Sequence, residues 1–242
     1  MNHHQIHHFE NPFKVIKQLL AGKSLTRSLF NLAIERYEIH GDVLDLGSKN
    51  GTSSYYQHIK QSADCKITFT DLVPGPGVSQ VDVEKPFPFP DACFDTVITF
   101  HLMEHVYEFW HMPKEIYRVL KPGGTLIVAV PFIHEYHGDP NDYWRMSDDA
   151  LCRLFESAGF LRSSVEFVGE GMASFATVKI ISLLLPRFIK RFGMVFGYLL
   201  ATVADRLTSA LRGHVNGRTI PVRFSLDVIC EFKKPDTFAI KI

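Results

Sequence analysis

Val43-Leu-Asp-Leu-Gly-Ser-Lys-Asn-Gly51 decides the fold. Asp42 to Leu46 has the continuous apolar character of a strand buried on both faces, and it runs into a turn built on Gly47. A helix over Thr52–Lys60 is expected to open directly after Gly51. Such a turn lets backbone approach a ligand closely, and the helix start offers free N–H groups. Working outward, strands are predicted at Lys66–Leu72, Val81–Val83, Phe94–Phe100, Thr125–Phe132, Val165–Val168 and Val222–Phe232. Helices are predicted over Pro12–Leu20, Leu25–Ile39 and His105–Leu120, with Pro113 kinking or restarting the last. A further helix is capped by Ser147 and closes at Gly159. Strands alternating with helices at this spacing give an α/β fold with a doubly wound, mostly parallel sheet. Its ligand loops then lie beyond the carboxyl ends of the strands, after Leu46, Thr70, Val83, Thr99 and Val130.

Composition removes several classes of function. The 242 residues carry 26 Lys plus Arg against 26 Asp plus Glu, so net charge makes no case for nucleic-acid binding. Cys65, Cys93, Cys152 and Cys230 stand far apart with no CxxC pair, which reads as reduced thiols in a cytoplasmic protein. The polar, His-rich start (His3, His4, His7, His8) has no apolar core of a signal peptide and is expected to fray. No window holds the roughly 18 apolar residues of a spanning helix; Phe192–Ala204 comes nearest.

Asp71 ends the second long strand, twenty residues past Gly51, where a carboxylate can accept two hydrogen bonds from a ribose diol. An Asp at a strand end also caps turns, and the glycine loop before it tips the balance to the sugar. A nicotinamide dehydrogenase would share this aspartate, but the loop lacks GxGxxG. The span from Val81 through Phe87-Pro-Phe89 and Phe94-Asp-Thr-Val97 to Leu102-Met-Glu-His-Val106, followed by Arg118-Val-Leu-Lys-Pro-Gly-Gly124, completes an ordered series of motifs. With it the chain resembles the class I S-adenosylmethionine-dependent methyltransferases, and within them the small-molecule, type 11 branch, from about Val43 to Phe160.

The resemblance implies a seven-stranded Rossmann-like sheet with the last strand antiparallel. It also implies S-adenosylmethionine as cofactor. Asp45, Gly47 and Ser48 would line its methionine end, with Gly51 closing the loop. Asp71 would hold the ribose, with Leu72 against the adenine. Asp82 would accept from the adenine amine beside Val83, and Phe100 and His101 would face the methionyl group. Lys49 stands where the family usually has glycine, and a non-catalytic binding module of the same fold is the alternative reading. The domain order expected is an N-terminal helical segment (1–40), the cofactor-binding core (41–170), a helical insertion (171–221) and the final strand (222–242).

The acceptor side is expected in Pro131–Ser147, an aromatic-rich polar loop resembling an "H..P.DY.R" stretch of relatives. One reading has Asp142 and Arg145 pinning the loop with Tyr143 and Trp144 as packing. The other, compatible with it, has Asp142, Tyr143 and Arg145 as an acceptor site with His137 as general base and His105 as second choice. O-methylation is the expected outcome, and no metal site is expected from the His pairs. Met172–Leu211 reads as two apolar helices broken near Pro186–Arg191. Gly171–Arg223 holds eight basic residues and one acid, Asp205, a balance of +7. It is either a cap over the site or an amphipathic hairpin on an anionic membrane surface, serving a small or lipid-linked acceptor. No nucleic-acid partner is expected, since no Asn-Pro-Pro-aromatic tetrapeptide occurs and the remainder of the chain is acidic.

Overall fold

The structure, a computed structural model, describes residues 5–7, 10–48, 51–169, 171–212, 214–215, 218–219 and 225–236. Lys49 therefore lies outside the described residues, as do 222–224 at the start of the expected last strand.

Seven strands make the main sheet: β1 (Asp42–Leu46), β2 (Lys66–Asp71), β3 (Val78–Gln80), β4 (Phe94–Phe100), β5 (Leu120–Pro131), β6 (Leu161–Val168) and β7 (Asp227–Lys233). The order is β6-β7-β5-β4-β1-β2-β3, with the three-residue strand Gln5–His7 added at the β6 edge. β1 pairs in parallel with β2 (Leu46 opposite Thr70) and with β4 (Leu46 opposite Thr99). β4 pairs in parallel with β5 (Thr99 opposite Val128). β7 is antiparallel. Its start meets the end of β6, where Leu226 N donates to Val168 O, and its end meets the start of β5, where Lys234 N donates to Gly124 O. Val43, Leu44, Val97, Ile98 and Leu126–Val130 are all buried, as parallel strands covered on both faces require. Each of the Val, Leu and Ile side chains among them contributes about 1.5–3 kcal/mol of burial. The strand order reverses between β1 and β4, which opens a crevice at their carboxyl ends.

Local chemistry corrects several expected boundaries. The third strand is Val78–Gln80; Asp82 instead turns the chain by accepting from Glu84 N at 3.1 Å. Only a short 3₁₀ turn, Ser54–Gln57, follows Gly51, since Ser and Tyr are poor helix formers. The expected helix 105–120 is two 3₁₀ turns and then α3 (Met112–Val119), with Pro113 in its first turn. Ser147 caps α4 (Asp148–Ser157) by accepting from Ala150 N at 3.3 Å. β5 starts at Leu120, so Lys121–Gly124 belongs to a strand. The described part of the last strand begins at Asp227, and residues 225–230 are buried without alternation.

The chain divides into two compact units: Met1–Ile6, Tyr37–Glu166 and Val228–Ile242 form one, His7–Arg36 and Phe167–Asp227 the other. The second is helical. α1 (Pro12–Leu20) and α2 (Leu25–Ile34) pack together under Asn11 and Ser24 caps. α5 (Met172–Leu184) and α6 (Arg187–Arg212) form a hairpin broken at Leu185-Pro186. Gly193 and Gly197 let α6 lie directly on Ile181 and Leu185. Asp205 of α6, the single acid of the basic segment, accepts from Ala173 N (3.1 Å) and Ser174 N (2.8 Å) and so satisfies the start of α5. No helix among the described residues is long and apolar enough to cross a membrane.

Candidate active site

A cavity of about 340 Å³ opens at the strand-order reversal. Gly47, Asp71, Leu72, Asp82, Val83, His101, His105 and Tyr143 line it, together with Val81, Glu84, Leu102, Val106 and Asp139–Asn141. Parallel register brings Gly47 of the first turn and Asp71 of β2 side by side. Gly47 has φ +77°, and a Cβ there would stand 2.8 Å from Leu102 Cδ1, so the backbone itself is the wall. His101, at the end of β4, holds φ +54°, a conformation uncommon outside glycine and asparagine.

Asp71 Oδ1 accepts from Val73 N at 3.3 Å while the residue lines the cavity, so turn and wall coexist. Asp82 is held by Lys85 at 2.8 Å, which lowers its carboxyl below the usual range. Leu72 presents an exposed apolar side chain to the cavity rim. Four other candidates lie behind the wall. Asp45 is 1% exposed; its Oδ2 accepts from Tyr55 OH at 3.0 Å, and Oδ1 has no hydrogen-bond partner among the described residues. Burial pushes that carboxyl well up, with the Tyr55 bond opposing. Ser48 donates to Thr70 O. Gly51, at φ +70°, sits against the Phe69 ring. Phe100 packs edge-on against Tyr55 at 5.1 Å.

The 133–146 loop returns over this end of the sheet. Tyr143 N donates to Glu104 O at 2.7 Å, and Trp144 Nε1 donates to Val106 O at 3.0 Å. Arg145 pairs with the carboxylate of Asp142 and also donates to Glu135 O at 3.1 Å. The pair holds the Asp142 carboxyl far below the usual range. Asp142 and Arg145 thus pin the loop and do not line the cavity, whereas Tyr143 does.

The loop also carries His137 back to Glu104 and His105. Glu104 Oε1 lies 3.6 Å from His137 Nε2 and 3.7 Å from His105 Nε2, and Glu104 is 1% exposed. His105 lines the cavity; His137 does not. The Glu104 carboxylate holds the His137 imidazole above its usual value, burial opposing. Glu104 carries no periodic signature in the sequence, since it is a single charge in a short 3₁₀ turn. The adjacent Glu104-His105 pair was the available signal.

Residues 44–128 match the model of a methyltransferase domain. A probable S-adenosylmethionine-dependent methyltransferase of Mycolicibacterium smegmatis is 41% identical over 79 residues, 30% of this chain and 31% of its own. Methyltransferase str3 of Strobilurus tenacellus is 30% identical over 105 residues, 40% of this chain and 38% of its own. The chain thus spans about a third of the length of these curated relatives. Among solved structures, a SAM-dependent methyltransferase from Archaeoglobus fulgidus superposes with TM-score 0.54 at 16% identity, over 93% of this chain and 100% of that one. The described core fits the cofactor of these relatives. Glycine backbone, the strand-end carboxylate of Asp71 and the turn carboxylate of Asp82 meet at one cavity, and the buried Asp45 carboxylate behind the first turn has an oxygen with no hydrogen-bond partner among the described residues. Residues 44–128 thus match a methyltransferase domain, and the fold that carries them is shared with a SAM-dependent methyltransferase of known structure.

Proposed function

We propose that the protein transfers a methyl group from S-adenosylmethionine to a hydroxyl of a small or amphiphilic acceptor. The observation that carries this reading is the cavity that gathers Gly47, Asp71, Asp82, His101 and His105 at the strand-order reversal. The bound sulfonium supplies an activated methyl group. Asp71 would accept from the ribose hydroxyls, Leu72 and Val83 would cover the adenine, and Asp82 would accept from its amine. Gly47 backbone and His101 would hold the amino-acid end, supported from behind by Asp45, Ser48, Gly51 and Phe100. Tyr143 would face the acceptor, with Asp142 and Arg145 keeping its loop in place. Removal of the acceptor proton falls to the Glu104–His105–His137 cluster, where His105 reaches the cavity. Holding acceptor and methyl in line accounts for most of the acceleration such a site needs.

The test is turnover of methyl-labelled cofactor against a panel of small and lipid-linked hydroxyl compounds. Label transferred to an oxygen supports the reading. Cofactor binding without transfer to any acceptor favours the non-catalytic module.

A second observation concerns where the acceptor is met. α6 exposes Phe192, Phe196, Leu200, Val203, Leu207 and Leu211 at helical spacing, with Phe192 72% and Leu211 85% exposed. An apolar stripe within a segment of charge +7 suits the surface of an anionic bilayer, where an amphiphilic acceptor would reside.

A further inference from the structure

His105 Nε2, His137 Nε2 and a Glu104 carboxylate oxygen converge beside the cavity, within 4.8 Å of one another. His105 Nδ1 lies 2.6 Å from Asn141 O, so that nitrogen carries the proton in neutral imidazole and Nε2 carries a lone pair. His137 Nδ1 lies 3.1 Å from Glu135 O and 3.5 Å from Asp142 Oδ2, both acceptors, so its Nε2 is likewise a lone pair in the neutral ring. Both Nε2 atoms face the Glu104 carboxylate, whose two oxygens are buried with no hydrogen-bond partner among the described residues. A cation placed among these atoms would engage both imidazoles and the carboxylate together. The two rings meet edge to face with centroids 5.1 Å apart, so both Nε2 atoms are presented to the same carboxylate.

From this we infer that Glu104, His105 and His137 form a binding site for one first-row divalent transition ion, of the zinc, cobalt or iron class, in the wall of the cavity. The three ligand atoms lie within 4.8 Å of one another. Ligands about 2.1 Å from an ion stand about 3.4 Å apart across a tetrahedral angle, so the observed 3.6 and 3.7 Å need a closure of a few tenths of an ångström. Two imidazoles and one carboxylate make a ligand set that favours such ions over magnesium or calcium. It leaves at least one position open. The outer partners that fix ligating histidines are already in place: Asn141 O on His105, Glu135 O and Asp142 on His137.

The ion gives the proposed function, on which this role rests, a specific way to activate its acceptor. With the ion bound the two histidines are ligands rather than bases, and a hydroxyl at the open position loses its proton to solvent because the ion lowers its pKa. The oxygen forms the new bond to the methyl carbon. The carbon–sulfur bond breaks, and its electron pair stays on sulfur as a neutral thioether.

The test is titration of the metal-free full chain with Co²⁺, read by visible d–d absorption. It is carried out in a background where His3, His4, His7 and His8 are alanine, so that the N-terminal histidines contribute nothing. One equivalent per chain is expected, with affinity falling at least about tenfold in each of E104Q, H105A and H137Q. Absence of a one-equivalent site in that background overturns the proposal, and this reading does not depend on any substituted ligand folding. Unchanged affinity in folded ligand variants also overturns it. Cofactor calorimetry on the same samples separates the two readings. Binding of S-adenosylmethionine without Co²⁺ removes only the ion site, and Co²⁺ binding without the cofactor removes only the proposed function.

Discussion

Tyr55 donates its phenolic proton to Asp45 Oδ2 across 3.0 Å in the interior behind the first glycine turn. That carboxyl is pushed above its usual value by burial, with the Tyr55 bond the opposing influence. Tyr55→Phe removes the donor and leaves a buried acceptor short of a partner, a loss expected to be about 1–3 kcal/mol in urea unfolding. The sign of the pH dependence follows from the raised folded pKa. Above the unfolded value of about 3.9 the folded state holds this proton more tightly, so the contribution to stability falls as pH rises towards the folded pKa. Asp45→Asn should therefore gain stability relative to the parent protein as pH rises through that window. A constant difference across the window would contradict this account of Asp45.

Gly47 is required twice, by its φ of +77° and by Leu102 beyond it. Gly47→Ala should destabilise the chain by about 1–3 kcal/mol through backbone strain and contact. It should also weaken S-adenosylmethionine by tenfold or more. Thermal unfolding and calorimetry read the two effects separately, and full affinity in the variant would remove this backbone from the cofactor site.

Asp205 holds two N–H groups at the start of α5 from the middle of α6. Asp205→Ala should cost about 2–3 kcal/mol, since both bonds are to a charged acceptor. Asp205→Asn keeps one acceptor and should cost less. Hydrogen exchange at Ala173 and Ser174 is the direct measurement; unchanged protection in the alanine variant would show that the helix start is satisfied elsewhere.

The exposed stripe on α6 yields a prediction about binding with little stability cost. Phe192→Asp with Phe196→Asp, both on the exposed face, should leave the melting temperature nearly unchanged. The parent protein is expected to pellet with vesicles rich in anionic lipid and the double variant to remain in the supernatant. Equal pelleting with neutral and anionic vesicles would contradict the charge complementarity.

The parts of the fold legible in the sequence were those where burial imposes a pattern. β1, β4 and β5 are buried on both faces and read as apolar runs, and the Ser147 cap announces α4. The edge strand β3, Val78-Ser-Gln80, lies at the end of the sheet and has no apolar run, so the sequence pattern points instead to the more apolar Val81-Asp-Val83 beside it. The cofactor side of the cavity was legible where residues sit at strand ends, as Asp71 and Gly47 do. Which neighbours face the cavity was not, because it depends on turns: Phe100 points to Tyr55 while His101, one residue on, lines the wall. Glu104 and His137 meet through a loop held by Tyr143 and Arg145, a long-range contact with no local periodicity.

The central claim is that this cavity binds S-adenosylmethionine through the carboxylate that ends β2. Calorimetric titration of the parent protein and of Asp71→Asn with S-adenosylmethionine tests it most directly. One-site binding by the parent is expected, weakened by about 1.5–3 kcal/mol in the variant as a charge-assisted bond is lost. No binding at millimolar cofactor, or equal affinity in the two proteins, would contradict it.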